Sequence, residues 1–141
     1  VRRLKNVSSG FTLIEILIVI GIIGILAAFL VPSFMGVQDK AKEAAVRSVM
    51  RSVQYGVESY NMENETYPIA KDITLKNLYD NYLAAGGYMA SLPKNPFTGK
   101  AYAEGDSAGK IMYTYDDALG KYTITGYKRS GIGKVLELTN M

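Results

Sequence analysis

The sequence predicts an α+β chain in which a long N-terminal helix packs on a small antiparallel sheet of three strands, the arrangement of one helical layer against one sheet. Three observations predict it. Residues 16–31 form an uninterrupted run of apolar residues and glycine, residues 33–62 keep helical periodicity, and the last third of the chain alternates β-branched with aromatic residues. Of the 141 residues, 48% are apolar. Because the first apolar run is set apart, a head of roughly 80 residues must supply the soluble core.

Residues 1–10, VRRLKNVSSG, are polar and basic and end in small residues, whereas residues 11–31 are almost wholly apolar. As a helix the second stretch is roughly 31 Å long, close to the hydrocarbon thickness of a bilayer. It can span. Basic residues before it and a mixed-charge domain after it predict an N-terminus inside and a C-terminus outside. A secretory signal has a shorter apolar region and a cleavage site beyond it; here the run continues through Pro32 into a second helical pattern. A plain single-span anchor fits the length but leaves Glu15 unexplained, since a carboxylate at mid-bilayer costs roughly 2.5 to 3.5 kcal/mol on insertion scales.

The formal charge of +3 is carried by Arg2, Arg3 and Lys5. Beyond residue 10 the charges balance, so no specific nucleic-acid binding is predicted and the basic excess reads as cytoplasmic retention beside a membrane segment. The chain has no Cys and no His. Zinc, iron-sulfur and haem sites, thiol nucleophiles and Ser-His-Asp chemistry therefore lack their usual groups, and no catalytic constellation is visible. The chain reads as a non-enzyme without a cofactor.

Gly10, Phe11, Thr12, Leu13, Ile14 and Glu15 read G-F-T-L-I-E. This sequence resembles the processing site of type IV prepilins and type II secretion pseudopilins, and the match continues to Pro32. The resemblance implies a pilin fold and three segments: a cleaved leader at 1–10, a transmembrane and filament-core helix at 11–32, and an amphipathic helix with a soluble head at 33–141. It implies cleavage by a prepilin peptidase between Gly10 and Phe11 and N-methylation of Phe11. Glu15 would then neutralise the Phe11 amine of a neighbouring subunit. The implied partners are further copies of the chain in a helical filament, an inner-membrane assembly platform and motor, and lipid before assembly. The physics of the pair stands beside this: an ammonium and a carboxylate in a low-dielectric layer relieve each other. Within one chain the amine also lies near Glu15, so the contact can be intrachain or between subunits.

Gly21 and Gly24 flatten one side of the helix and permit close approach of a neighbour, and Pro32 is expected to kink or break it. Beyond it, Val46, Val49, Met50, Val53, Val57 and Tyr60 recur at helical spacings and predict a face lying on the sheet. Asp39, Lys42, Glu43, Arg47, Arg51 and Glu58 are assigned to the opposite, solvated face, with Glu43 and Arg47 as an i, i+4 pair. The helix is expected to stop near Asn64. Asp72 reads as the N-cap of a second helix at 75–84, ended by Gly86 and Gly87. Residues 92–96, L-P-K-N-P, resemble the L-P-x-x-P segment of major pseudopilins. Strands are predicted at 111–115, 122–127 and 135–139, the first two as a hairpin.

Asp116 and Asp117, with Glu104 and Asp106 near in sequence, offer oxygen ligands of the kind calcium prefers. The reading as ordinary turn carboxylates is the stronger, and the Gly- and Asp-rich C-terminal loop of calcium-binding pseudopilins is not matched. The 11 Tyr residues all follow position 54. They read as a half-buried sheet surface, or more sharply as an adhesive lateral surface. The leading expectation is a structural subunit of a type IV pilus-like filament, held first in the inner membrane with its head outside and then displayed as a periplasmic or extracellular filament. The alternatives are the major pseudopilin of a type II secretion system and, from another class, a monomeric membrane-anchored binding module.

Overall fold

A computed structural model describes residues 10–140; the leader residues 1–9, with Arg2, Arg3 and Lys5, lie outside them. The chain forms two compact units divided between Gln38 and Asp39. One helix, α1 (Leu13–Asn64), contributes to both. In the first unit its apolar side chains are uncovered, from Leu13 at 82% exposure to Val37 at 65%. The helix does not break at Pro32, which lies inside α1. Proline has no N–H, so the carbonyl four residues back at Ala28 loses that donor while the helix continues.

In the second unit Val46, Met50, Val53 and Val57 of α1 are fully buried, and they pack with Ile111, Tyr113, Tyr122 and Ile124 of the sheet. The spacing of four and three residues puts all four helix side chains on one stripe, and that stripe is the core. α1 ends at Asn64 as the turn residues predict. Glu65 adopts a left-handed φ of 55° there, with its N–H donating to Asn61 O at 2.9 Å.

The sheet has four strands in the order β1 (Ile73–Thr74), β2 (Ile111–Asp116), β3 (Lys121–Tyr127) and β4 (Lys134–Thr139), all antiparallel. β1 is the strand that sequence patterning omits: two residues are too few to show alternation. The second helix is also capped differently from the expectation. Thr74, not Asp72, is its N-cap, accepting from Asn77 N at 3.3 Å. It starts α2 (Leu75–Leu78), which passes into a π turn over Tyr79–Leu83. Asp72 sits instead in a left-handed conformation, φ 51°, and accepts from the Thr114 hydroxyl at 2.7 Å. That contact ties the chain before β1 to β2.

Three residues assigned to a solvated helix face are engaged within the head. Glu58 accepts from Tyr122 Oη at 2.6 Å and from Tyr67 Oη at 3.2 Å. Asp39 accepts from Arg129 at 2.7 and 3.0 Å, and Lys42 lies 5.8 Å over the Phe97 ring. Side-chain reach explains the difference: helical periodicity locates Cα positions, while a long polar side chain, Glu58 and Lys42 on the helix or Arg129 opposite Asp39, spans the gap between elements. Arg47 and Arg51 are exposed as expected; Glu43 and Arg47 are not among the ion pairs of the described residues.

The tyrosines are largely structural. Tyr102, Tyr113 and Tyr122 are buried, and each hydroxyl is satisfied: Tyr102 donates to Gly109 O and Tyr113 to Pro68 O, both at 2.9 Å, and Tyr122 to Glu58. Tyr67 meets Tyr122 edge to face at 4.9 Å. In the proline-bounded loop Asn95 is fully buried. Its amide donates to Ala108 O and Asp106, and its carbonyl accepts from Phe97 N. A single amide thus organises the L-P-K-N-P segment.

Two outcomes follow from this packing. A Cβ built on Gly126 of β3 would lie 2.4 Å from Met50 Sδ and 3.2 Å from Val46 Cγ1, so Gly126→Ala should destabilise the head by about 1 to 3 kcal/mol through overpacking. A lowered denaturant midpoint is expected; an unchanged one would mean that Met50 moves aside freely. Burial, first of all, pushes the hydroxyl pKa values of Tyr102, Tyr113 and Tyr122 above the ordinary value of 10.0. The folded state therefore keeps protons that an unfolded chain releases. The resulting stability is present below pH 10 and is lost as pH rises through and beyond it. Tyrosinate absorbance and far-ultraviolet circular dichroism followed together should show these three rings ionising only as the head unfolds; their titration near pH 10 in an intact fold would contradict the burial argument.

Candidate functional site

The N-terminal start of α1 brings Gly10, Phe11, Thr12 and Glu15 together. Gly10 and Phe11 precede the helix and are exposed, Phe11 at 83%. Thr12 occupies the N-cap position. Its backbone N–H and its hydroxyl both donate to Glu15 Oε2 at 2.8 Å, while Glu15 N donates back to Thr12 Oγ1 at 3.3 Å. This is a reciprocal capping box, which satisfies amide groups that a helix start otherwise leaves without partners. It also places a carboxylate at the positive end of the helix dipole.

The sequence carried a signal for this box that the expectations above omitted: Thr, two residues, then Glu, directly before an apolar run. The consequence for Glu15 is concrete. On the described chain, which is continuous from Gly10 to Phe11, its intrachain partner is Thr12. Among the described residues both hydrogen bonds to the carboxylate go to Oε2, and none goes to Oε1.

A Cβ built on Gly21 or Gly24 meets nothing within 4 Å, so on the single chain both positions are open. Pro32 is exposed within the same uncovered helical surface. α1 contains a window long and apolar enough to cross a membrane, none of it buried. Uncovered side chains at 13–37 and a filled core beneath residues 46–57 thus belong to one helix with two different surroundings.

Asp116 ends β2 and Asp117 begins the β2–β3 turn. Asp116 Oδ1 accepts from Ala118 N at 3.0 Å and Leu119 N at 3.2 Å, the hydrogen bonding of a turn carboxylate. Asp106 accepts instead from Asn95 and from Ala103 N. Among the described residues no group of three or more Asp or Glu side chains is gathered to hold a metal ion.

Comparison with known proteins bears on this site directly. Residues 5–31 match the family model described as the prokaryotic N-terminal methylation motif. Over 101 residues the chain is 35% identical to type II secretion system core protein G of Aeromonas hydrophila, covering 66% of this chain and 70% of the relative. Protein G of Escherichia coli strain K12 is 34% identical over 103 residues, 67% of this chain and 70% of the relative. The Vibrio cholerae protein of the same name is 34% identical over 97 residues, 63% and 65% of the two chains. No solved structure matches. By these matches the chain belongs to the type IV pilin-like family of type II secretion system core protein G.

Proposed function

We propose that the chain is the major subunit of a secretion pseudopilus, stored in a membrane through residues 11–37 and polymerised through the same helix. What carries this reading is the coincidence of the methylation motif at 5–31 with an uncovered apolar window in α1, in a chain whose relatives are named as secretion core proteins. Those names favour the secretion alternative over the surface pilus that the sequence led with. The head would lie outside, with the basic leader retained inside.

In this mechanism cleavage after Gly10 exposes an ammonium on Phe11, one residue before the capping box. Thr12 already orients the Glu15 carboxylate through Oε2. Oε1 is then free to receive the Phe11 ammonium of an adjoining subunit, so two charges that are each unfavourable in an apolar layer neutralise one another. Gly21 and Gly24 leave room for the backbones of neighbouring helices to approach. A monomeric anchored module would have no use for the ammonium.

Processing is tested at Gly10, which is exposed and carries no side chain beside the bond. Gly10→Val should leave a precursor that retains its leader, seen as the intact N-terminal peptide by mass spectrometry. Wild-type chain should begin at N-methylated Phe11; a wild-type chain that keeps Arg2 and Arg3 would instead support the anchored module.

The capping box makes the assembly test sharper than truncation alone. Glu15→Gln keeps a carbonyl oxygen for the Thr12 donors, as a capping box allows, but removes the charge. Glu15→Ala removes both, with an added loss of about 1 kcal/mol at the helix start. An unpaired buried ammonium costs roughly 3 to 5 kcal/mol, so both variants should give processed monomer and little pelletable filament. Wild-type filament yield from Glu15→Gln would show that the carboxylate serves the cap and not the subunit contact.

A further inference from the structure

We propose that the heads of two copies of the chain dock end to end, the β2–β3 turn of one (residues 117–120) against the β3–β4 turn of the next (residues 128–133). This rests on the reading that the chain polymerises. The two turns cap opposite ends of β3, whose seven residues hold them about 23 Å apart. Each is fixed by its own chain. In the first, Asp116 Oδ1 accepts from Ala118 N and Leu119 N, and Asn140 Nδ2 donates to Gly120 O at 3.0 Å. In the second, Lys128 N donates to Gly133 O at 2.7 Å and Gly131 N to Lys128 O at 2.9 Å. Gly131, at φ 73°, lies so close to the Ser107 carbonyl that a Cβ would be 2.9 Å from its oxygen. Each tip presents an apolar side chain to solvent, Leu119 at 68% and Ile132 at 84% exposure.

A single exposed apolar residue is ordinary; the charge around these two is what gives them meaning, because it is opposite in sign. At the first tip stand Asp116 and Asp117, and the chain that leaves α1 comes to the same end, with Tyr115 N donating to Ala70 O at 2.7 Å and Tyr67 6.1 Å from Tyr115. It brings Glu63, Glu65 and Asp72 to this side. The cations here are fewer: Lys71, which borders the same depression as Asp116 and Asp117, and Lys121, opposite Asp116 in the strand register. At the second tip Lys128, Arg129 and Lys134 flank Ile132, and Lys110 joins them with its Nζ 4.7 Å over the Tyr127 ring. The carboxylates on this side are Asp39 and Glu137, paired with Arg129 and Lys134, Asp106, bonded to Asn95, and Glu43 on α1 beside Lys40, Lys42 and Arg47. Lys110 and Lys128 are in none of the described ion pairs.

Over residues 39–141 positive and negative charges nearly balance, yet they are sorted to the two ends of one strand. A polyanion suits only one end and a polycation only the other. The partner whose charges complement both is a second copy of the chain, its acidic tip meeting the basic one. Because the two surfaces differ, the contact is heterologous, the type from which open filaments are built. Turns already fixed in each head lose little freedom on docking, and Leu119 and Ile132 add apolar area to the charge attraction.

The chain has no Cys, so introduced cysteines report the contact. Filament pelleted from cells that express Leu119→Cys and Ile132→Cys chains together is oxidised with copper phenanthroline. Disulfide-linked dimer is expected from this mixture, a ladder of higher multimers from a chain carrying both substitutions, and monomer from either single variant alone. The span of β3 is more than a disulfide can bridge, so the ladder cannot arise within one chain. Asp117→Lys or Lys128→Glu in the cysteine chains should each lower the dimer yield about threefold, and the two together should restore it, which damage to the fold would not. Dimer from one single-cysteine variant alone, in the amount that the mixture gives, means that like tips meet and overturns the docking. Monomer throughout, from filament that pellets at wild-type yield, also overturns it and leaves the polymer reading standing. A wild-type chain that gives no pelletable filament defeats that reading and the proposal with it.

Discussion

The head depends on the burial of one stripe of α1 against one face of the sheet. Val46, Met50, Val53 and Val57 are completely enclosed, and Gly126 on β3 is the position that lets the helix come close enough for Met50 to fill the layer between them. Because a helix buries a stripe and a strand buries alternate residues, the two periodicities must meet in register. Ile111, Tyr113, Tyr122 and Ile124 supply the strand half of that match.

The same helix is uncovered over residues 13–37. Exposed apolar area on that scale is not tolerated by a soluble monomer, and the absence of charge between Glu15 and Asp39 sets its limits. Each end of the uncovered stretch carries a carboxylate held by its own chain, Glu15 by Thr12 and Asp39 by Arg129. One contact begins the helix and the other fastens it to the head, so both charged boundaries of the apolar segment are fixed in the fold.

Polar groups inside the head are managed by convergence on a few acceptors. Glu58 receives two tyrosine hydroxyls and Asn95 bonds to three partners from its side chain. No buried side-chain polar atom among the described residues lacks a partner. This agrees with the cost of leaving such a group unpaired. It also explains how a sheet so rich in tyrosine can be packed: the rings fill the core while their hydroxyls reach carbonyls and a carboxylate at its edge.

The class of the fold, the long helix and its end at Asn64, the three longer strands and the processing motif were legible in the sequence, because each is written in local periodicity or in adjacent residues. The capping box is written there too, as T-L-I-E. What only the tertiary structure decided involves residues distant along the chain. Asp72 bonds to Thr114 rather than capping a helix, Glu58 collects hydroxyls from Tyr67 and Tyr122, Asp39 meets Arg129, and β1 exists only because β2 gives its two residues a partner. Periodicity reports which side of an element is apolar, but the destination of a long polar side chain depends on which other elements arrive beside it, and that is settled only when the chain is packed.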